Sequence, residues 1–277
     1  MHRTLHPAGA HDPDDVSKDV VRVDLGPGVV AAFTTRHGGS SPAPWSSWNL
    51  GLNVSDDPDR VRANRSRLAR VVGAETRFVR QVHGVGVVPV VREHESAAGG
   101  DGLHDPWGGA QEPEGDALVT AEPGLALGIL VADCVPVLLA DPVHGVVAAA
   151  HAGRRGLDGG VVAATVAAMV DAGAVAGDVR AVVGPSICAR CYEVPEEMRA
   201  DVAARVPAAW ATSGSGTPAL DLPGGVRAEL TRSGVGQVGS VDVCTREDDR
   251  FYSHRRATAA GSVTGRFAGV LALRADK

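Results

Sequence analysis

The stretch "DALVTAEPGLALGILVADCVPVLLADPVHGVVAAAHAGRRG", residues 116–156, decides the fold. Short apolar runs alternate with turn signals at Glu122-Pro123-Gly124, Asp141-Pro142 and His144-Gly145. Such runs, bounded by Gly, Pro and Asp, read as buried strands. They are the densest β region of the chain and predict central strands. One detail resists. "LVADCVPVLLADP" (130–142) reads as a buried strand pair, yet an Asp133-Cys134 couple sits in its middle. A carboxylate inside a strand is costly unless it is bonded. Neighbouring residues of a strand also face opposite sides. Pro136 cannot donate to a ladder, so the reading predicts a core strand that ends near Cys134, with a site at its terminus.

Outward from this stretch the chain alternates strands and helices. Residues 1–20 are polar and aperiodic and read as a disordered tail. "VVRVDLGPGVVAAFTTR" (20–36) predicts two short strands around a Gly-Pro-Gly turn. The helix "PDRVRANRSRLARVVG" (58–73) follows, with Ser55 or Asp56 as its cap and Gly73 as its stop. "TRFVRQVHGVGVVPVV" (76–91) reads as a strand pair, and residues 92–115 as a surface insertion without a core of its own. Further helices are expected over 156–173, 195–210 and 222–236, with strands at the start of 179–194, over 238–245 and over 264–273. This mixture predicts an α/β fold in one domain, residues 21–277, with a central mixed sheet flanked by helices.

Hydrophobic residues make up 44% of the 277-residue chain and aromatics only 4%, so Ala, Val and Leu must fill the core. A net charge of −6 without a basic cluster argues against nucleic acid as a partner. The first residues lack the apolar segment of an export signal, and no apolar run approaches the ~18 residues of a membrane span. The expectation is a cytoplasmic protein with reduced thiols and no membrane partner.

Three segments place a good metal ligand beside glycine or at a strand end: His83 in "RQVHG", Cys134 in "ADC" and His151 in "AAAHAGRRG". A His/Cys/His set would bind zinc and leave a fourth position for water or substrate. Their wide separation gives no spacing signature. A strand-end histidine is more often structural, and a buried cysteine is often a small hydrophobe. "CARC" (188–191) offers a redox pair, half a zinc knuckle or an incidental spacing, and no second Cys-x-x-Cys follows. Cys244, in "VDVCT", reads as a core residue of an alternating strand. Arg36, Asn49, Arg80, Gln81, Asp116 and Arg266 stand near Gly-rich or strand-end positions. Arg36, Arg80 and Arg266 suit an anion such as phosphate. "FYSHRR" adds Tyr252, His254, Arg255 and Arg256.

Together these segments resemble the YfiH-like family, also called the laccase-domain or multicopper polyphenol oxidase family and the peptidoglycan editing factor family. The resemblance rests on "FTTRHGGSS", "WNLGLNVSDD", "RQVHG", "GDALVT", "ADCVPVLLADP", "AAAHAGRRGL", "GPSICARCYEV", "CTREDDRFYSHRR" and "TGRFAGVLAL", in order from about residue 25. It implies a single-domain α/β fold and a metal site, usually zinc, at His83, Cys134 and His151. It also implies phosphorolysis of adenosine, inosine, guanosine or methylthioadenosine, and deamination of adenosine. Purine nucleoside and phosphate are then the partners, and the assembly a monomer or a homodimer. Asp133 would act in catalysis by orienting a ligand or the substrate, and Asp116 or Asp133 would protonate the base if burial raised its pKa. Two positions depart from the family pattern. Arg154 stands where "HAGWRG" has Trp, and Cys188 and Arg190 replace residues usual before "CYEV", whereas Cys191 fits.

Copper-dependent phenol oxidation is the alternative in the family's older name. It needs a mononuclear copper and a trinuclear cluster, hence many histidines. The chain has ten: His2, His6 and His11 lie in the expected tail, and His94 and His104 in the insertion. A blue-copper set would also want an axial Met, and only three methionines exist. A third reading, peptidoglycan editing in cell-wall precursor quality control, leaves the ligand set without a purpose.

Overall fold

The structure is a computed structural model and describes residues 19–92 and 112–275. Its strands divide between two mixed sheets. The five-stranded sheet contains β1 (Val20–Arg22), β2 (Val29–Thr34), β3 (Thr76–Arg77), β6 (Ala126–Val131) and β13 (Phe267–Leu273), in the order β1-β2-β13-β6-β3. The six-stranded sheet contains β4 (Val87–Pro89), β5 (Ala117–Thr120), β7 (Val135–Asp141), β8 (Val146–Ala152), β9 (Arg180–Val183) and β12 (Gln237–Ser240), in the order β12-β9-β7-β8-β5-β4. β10 (Trp210–Thr212) and β11 (Pro218–Leu220) form a separate ribbon. The helices are α1 (Pro58–Val72), α2 (Arg154–Gly159), α3 (Val161–Asp171), α4 (Glu196–Arg205), α5 (Leu222–Arg232) and α6 (His254–Ala259).

The alternation of side chains along each strand explains the layering. In β7 and β8, Val137, Leu139, Ala148 and Ala150 join the core beneath α3 and α5. Leu138, Ala140, Val147 and Ala149 face the other way and meet Leu127, Ile129 and Phe33 of the five-stranded sheet. The far side of that sheet is covered by Leu68 and Val72 of α1 with Trp48 and Leu50. Each buried Val, Leu or Phe contributes roughly 1.5–3 kcal/mol. Three apolar layers therefore hold four layers of secondary structure.

The α/β class with mixed sheets and flanking helices matches expectation, with the strands shared between two sheets. The run 130–142 is a strand pair broken at the Asp133-Cys134 couple, as expected, but its two strands lie in different sheets. β6 stops at Val131, residues 132–134 bend, and β7 starts at Val135 in the other sheet. Pro136 lies near the start of β7, opposite His151 of β8, and pairing with β9 begins only at Val137. A proline nitrogen is tolerated there because no ladder bond is missed.

Other boundaries shift. Val20 belongs to β1 rather than to the tail; residues 1–18 lie outside the described region. The cap of α1 is Asp57, whose carboxylate accepts the Asp59 N–H, not Ser55 or Asp56. β3 and β4 are not a pair, because each joins a different sheet in parallel. Gly160 splits the expected 156–173 helix into α2 and α3. Most of the expected insertion, 93–111, lies outside the described residues, but its end is tied down. Arg65 pairs with Glu112, and the Arg80 N–H donates to the Pro113 carbonyl. "VDVCT" is not a strand: β12 ends at Ser240, and Cys244 sits half-buried in a turn.

Candidate functional site

His83, Cys134 and His151 meet where the seam between the sheets reaches the surface. His151 continues the Val147–Ala149 parity of β8, so the strand itself aims it into the seam. Cys134 comes from the bend that carries the chain between sheets, and His83 from the loop between β3 and β4. Their ligand atoms lie within 4.8 Å of one another. Cys134 Sγ is 3.8 Å from His83 Nε2, and the two imidazoles stand edge to face with centroids 4.7 Å apart.

Two left-handed residues shape this meeting. His83 has φ 61° and Asp133 has φ 88°. Such conformations cost a non-glycine residue roughly 1–2 kcal/mol. Asp116 holds the first. Its carboxylate, at the buried start of β5, accepts the N–H groups of Val82, His83 and Gly84 at 3.2, 2.9 and 2.6 Å. The same carboxylate receives His151 Nδ1 at 2.8 Å, which leaves Nε2 free to bind a metal. Asp133 is held by the Thr245 hydroxyl at 2.7 Å, the Arg255 N–H at 2.6 Å and the Ile187 N–H on its own carbonyl at 2.9 Å.

The electrostatics follow from this arrangement. Burial alone would raise the Cys134 thiol, but the imidazoles of His151 and His83 override it and hold the pKa at about 6. Burial alone would lower His151; Cys134 and Asp116 instead lift it to about 9. Burial would raise Asp116 too, yet the hydrogen bond to His151 and the Gly84 N–H keep it below the ordinary carboxylate range. A thiolate beside imidazoles is the donor set that soft and borderline metals select. Space is reserved as well. A Cβ on Gly153 would come 2.8 Å from His83 Cδ2 and 3.2 Å from Cys134 Sγ. The residues therefore fit a three-donor metal ion.

The three side chains form one wall of a cavity of about 560 Å³. Other walls come from Gly51–Val54, Leu130–Asp133, Tyr192, Arg255 and Arg266.

Residues 30–274 match the family model described as multi-copper polyphenol oxidoreductase laccase. The chain belongs to this family. A Streptomyces coelicolor relative named purine nucleoside phosphorylase is 50% identical over 241 residues, 86% of this chain and 94% of its own. A Deinococcus radiodurans protein of the same name is 45% identical over 248 residues, 88% of this chain and 89% of its own. Among solved structures, YlmD of Geobacillus stearothermophilus superposes with a TM-score of 0.82 at 31% identity, covering 95% of this chain and 98% of its own. A Neisseria meningitidis protein does so at 0.79 and 33%, covering 93% and 100%.

Against this family frame, the remaining sequence candidates separate. Gln81 and Arg266 line the cavity. Gln81 is clamped to Leu130 by two 2.8 Å bonds, from Nε2 to the carbonyl and from the Leu130 N–H to Oε1. Arg36, Arg80 and Asn49 do not line the cavity. Arg36 donates to the Ser46 carbonyl and stacks on Tyr252, and Arg80 pairs with Glu114 at the surface. Asn49 is fully buried, its oxygen accepting the N–H groups of Gly51 and Arg266. Asp116 is buried behind the ligands rather than in the cavity, and its bonds lower its pKa rather than raise it. It orients His151, while Asp133 lines the cavity and its carboxylate also staples the inter-sheet bend. Arg65 and Tyr192 carry no readable signal in the sequence, whereas Gly153 stands between a strand-end histidine and a helix start.

Proposed function

We propose that this chain phosphorolyses purine nucleosides (adenosine, inosine, guanosine or methylthioadenosine) to the free base and the matching sugar 1-phosphate (ribose 1-phosphate, or 5-methylthioribose 1-phosphate from methylthioadenosine), with zinc at His83, Cys134 and His151. The observation that carries the reading is the convergence of this donor set on the wall of a nucleoside-sized cavity that also holds arginines. Pockets of ~300–1,000 Å³ suit small ligands. The names of the Streptomyces and Deinococcus relatives support the reaction class.

His83, Cys134 and His151 would hold the zinc, which would supply Lewis acidity when bound. The chain's own residues do the rest. Asp116 fixes the His151 tautomer and the His83 loop. Arg266, half-buried and drawn below its ordinary pKa chiefly by burial, offers a dry cationic group to phosphate. Tyr192, with Arg255 over its ring at 5.2 Å, offers a face to the purine. The apolar wall at Leu130–Ala132 offers contact to the nucleoside. Deamination of adenosine is the second activity we assign to the same centre.

A copper oxidase is the reading the family's description favours. The ligands argue against it. Among the described residues, this is the one candidate metal group with two histidines. Met169 is buried in the core beneath α3 and α5 and Met198 lies on α4, and neither lines the cavity. The test is metal analysis of the purified protein, then incubation with each nucleoside with and without phosphate. Base release that requires phosphate and disappears in His83→Ala and Cys134→Ala supports the proposal. Inertness of the zinc-loaded protein toward all four nucleosides contradicts it, and copper-dependent oxygen uptake with a phenol establishes the rival.

A further inference from the structure

A second cluster of metal-ligating side chains lies outside this site. Cys188, Cys191, Cys244 and Glu247 bring their ligand atoms within 4.8 Å of one another. None of the four is shared with the first set. All four cysteines of the chain are free thiols, and three of them gather here. In a tetrahedral site with Zn–S near 2.3 Å, neighbouring donors stand about 3.8 Å apart. The observed spread needs a contraction of about an ångström at most, which side-chain rotation supplies.

The backbone presents the donors in two matching turns. Cys188-x-x-Cys191 closes a single 3₁₀ turn, with the Cys191 N–H donating to the Cys188 carbonyl at 3.0 Å. Cys244-x-x-Glu247 closes another, with the Glu247 N–H donating to the Cys244 carbonyl at 3.1 Å. Paired donors two residues apart on tight turns are the form structural zinc sites take. A bridge between Ser186 and Cys244 locks the turns side by side. The Cys188 N–H points at Cys244 Sγ at 3.4 Å, as backbone donors do toward metal-bound sulfur. Glu247 is divided between two tasks: Oε1 lies 3.4 Å from Cys191 Sγ, while Arg190 holds Oε2 at 3.0 Å. The arginine thus fixes a carboxylate that can ligate through one oxygen, and offsets part of the charge of three thiolates.

We propose that Cys188, Cys191, Cys244 and Glu247 form a second, structural zinc site. It braces the first. Ile187, beside Cys188, and Thr245, beside Cys244, are two of the three residues that hold Asp133 and hence the bend carrying Cys134. A disulfide would use two of the thiols and leave the third and Glu247 unexplained.

The experiment is metal analysis of the full chain prepared anaerobically with reduced thiols and loaded with zinc. The wild type is expected to carry about two ions per chain and His83→Ala/Cys134→Ala about one. Cys188→Ser/Cys244→Ser, which leaves the first set intact, should drop to about one. If that variant fails to fold, cobalt loading of His83→Ala/Cys134→Ala decides, because the remaining ion should show thiolate-to-cobalt charge-transfer absorption. A His83→Ala/Cys134→Ala protein that folds but binds neither zinc nor cobalt overturns the proposal. So does an intact mass showing a disulfide among Cys188, Cys191 and Cys244 under these conditions. Neither result bears on nucleoside turnover, so the two proposals fail separately.

Discussion

Asp116→Asn tests the architecture of the first site. Oδ1 takes the His83 N–H and His151 Nδ1; Oδ2 takes the N–H groups of Val82 and Gly84. An asparagine keeps one acceptor oxygen. Whichever way it turns, its NH₂ faces two donors. Each bond to the buried carboxylate contributes about 1.5–3 kcal/mol. Two lost bonds should cost about 3–6 kcal/mol, a large share of the 5–15 kcal/mol typical of a folded protein. The His83 loop should relax from its left-handed turn, and His151 should lose its fixed tautomer. Zinc affinity should fall about 10–100-fold, as for other residues that orient ligands. Urea unfolding of the chelator-treated protein reads the first quantity, and competition with a zinc-binding dye reads the second. Affinity within about twofold of wild type would refute the role given to Asp116.

Three further outcomes follow from the same geometry. Gly153→Ala puts a methyl group 2.8 Å from His83 and 3.2 Å from Cys134; zinc binding should weaken about tenfold or more while the circular dichroism stays native, and unchanged affinity would mean the glycine reserves no metal space. Arg266→Ala should raise the KM for phosphate about 10–100-fold, the value of one charged hydrogen bond, with the nucleoside KM far less affected; an unaltered phosphate KM removes Arg266 from the anion site. Asp141 is buried at the end of β7, and burial alone would raise its pKa. The N–H groups of Val175, His144 and Val143 and the His144 ring instead hold it below the ordinary value. A depressed folded-state pKa contributes stability above the unfolded value of about 3.9 and loses it as pH falls through the folded pKa. The stability gap between wild type and Asp141→Asn should therefore be full at neutral pH and shrink in acid below about pH 4, and a gap independent of pH would contradict this.

Much of the fold is legible in residues 116–156, because turn residues punctuate the apolar runs. The division into two sheets is not. Strands buried on both faces lose the polar alternation that would tell one layer from another, so nothing in β6 and β7 says that they belong to different sheets. The bend between them is marked only by Asp133-Cys134. "VDVCT" shows the opposite error. Its alternation is real, but its partner β9 ends at Val183, so residues beyond Ser240 have no strand to join. At the site, His83, Cys134 and His151 lie far apart in sequence, and it was resemblance, not spacing, that grouped them. That Asp116 orients His151 depends on which carboxylate the fold turns toward that ring. Cys244 became a candidate ligand only when the fold set its turn beside "CARC".

The most direct test of the central claim follows the phosphate. Zinc-loaded protein is incubated with inosine and inorganic phosphate, and the sugar product is identified by phosphorus NMR. Ribose 1-phosphate, formed in equal amount with hypoxanthine and absent with Cys134→Ala, is the predicted result. Hypoxanthine with free ribose, or no turnover by the metal-loaded wild type, would contradict it.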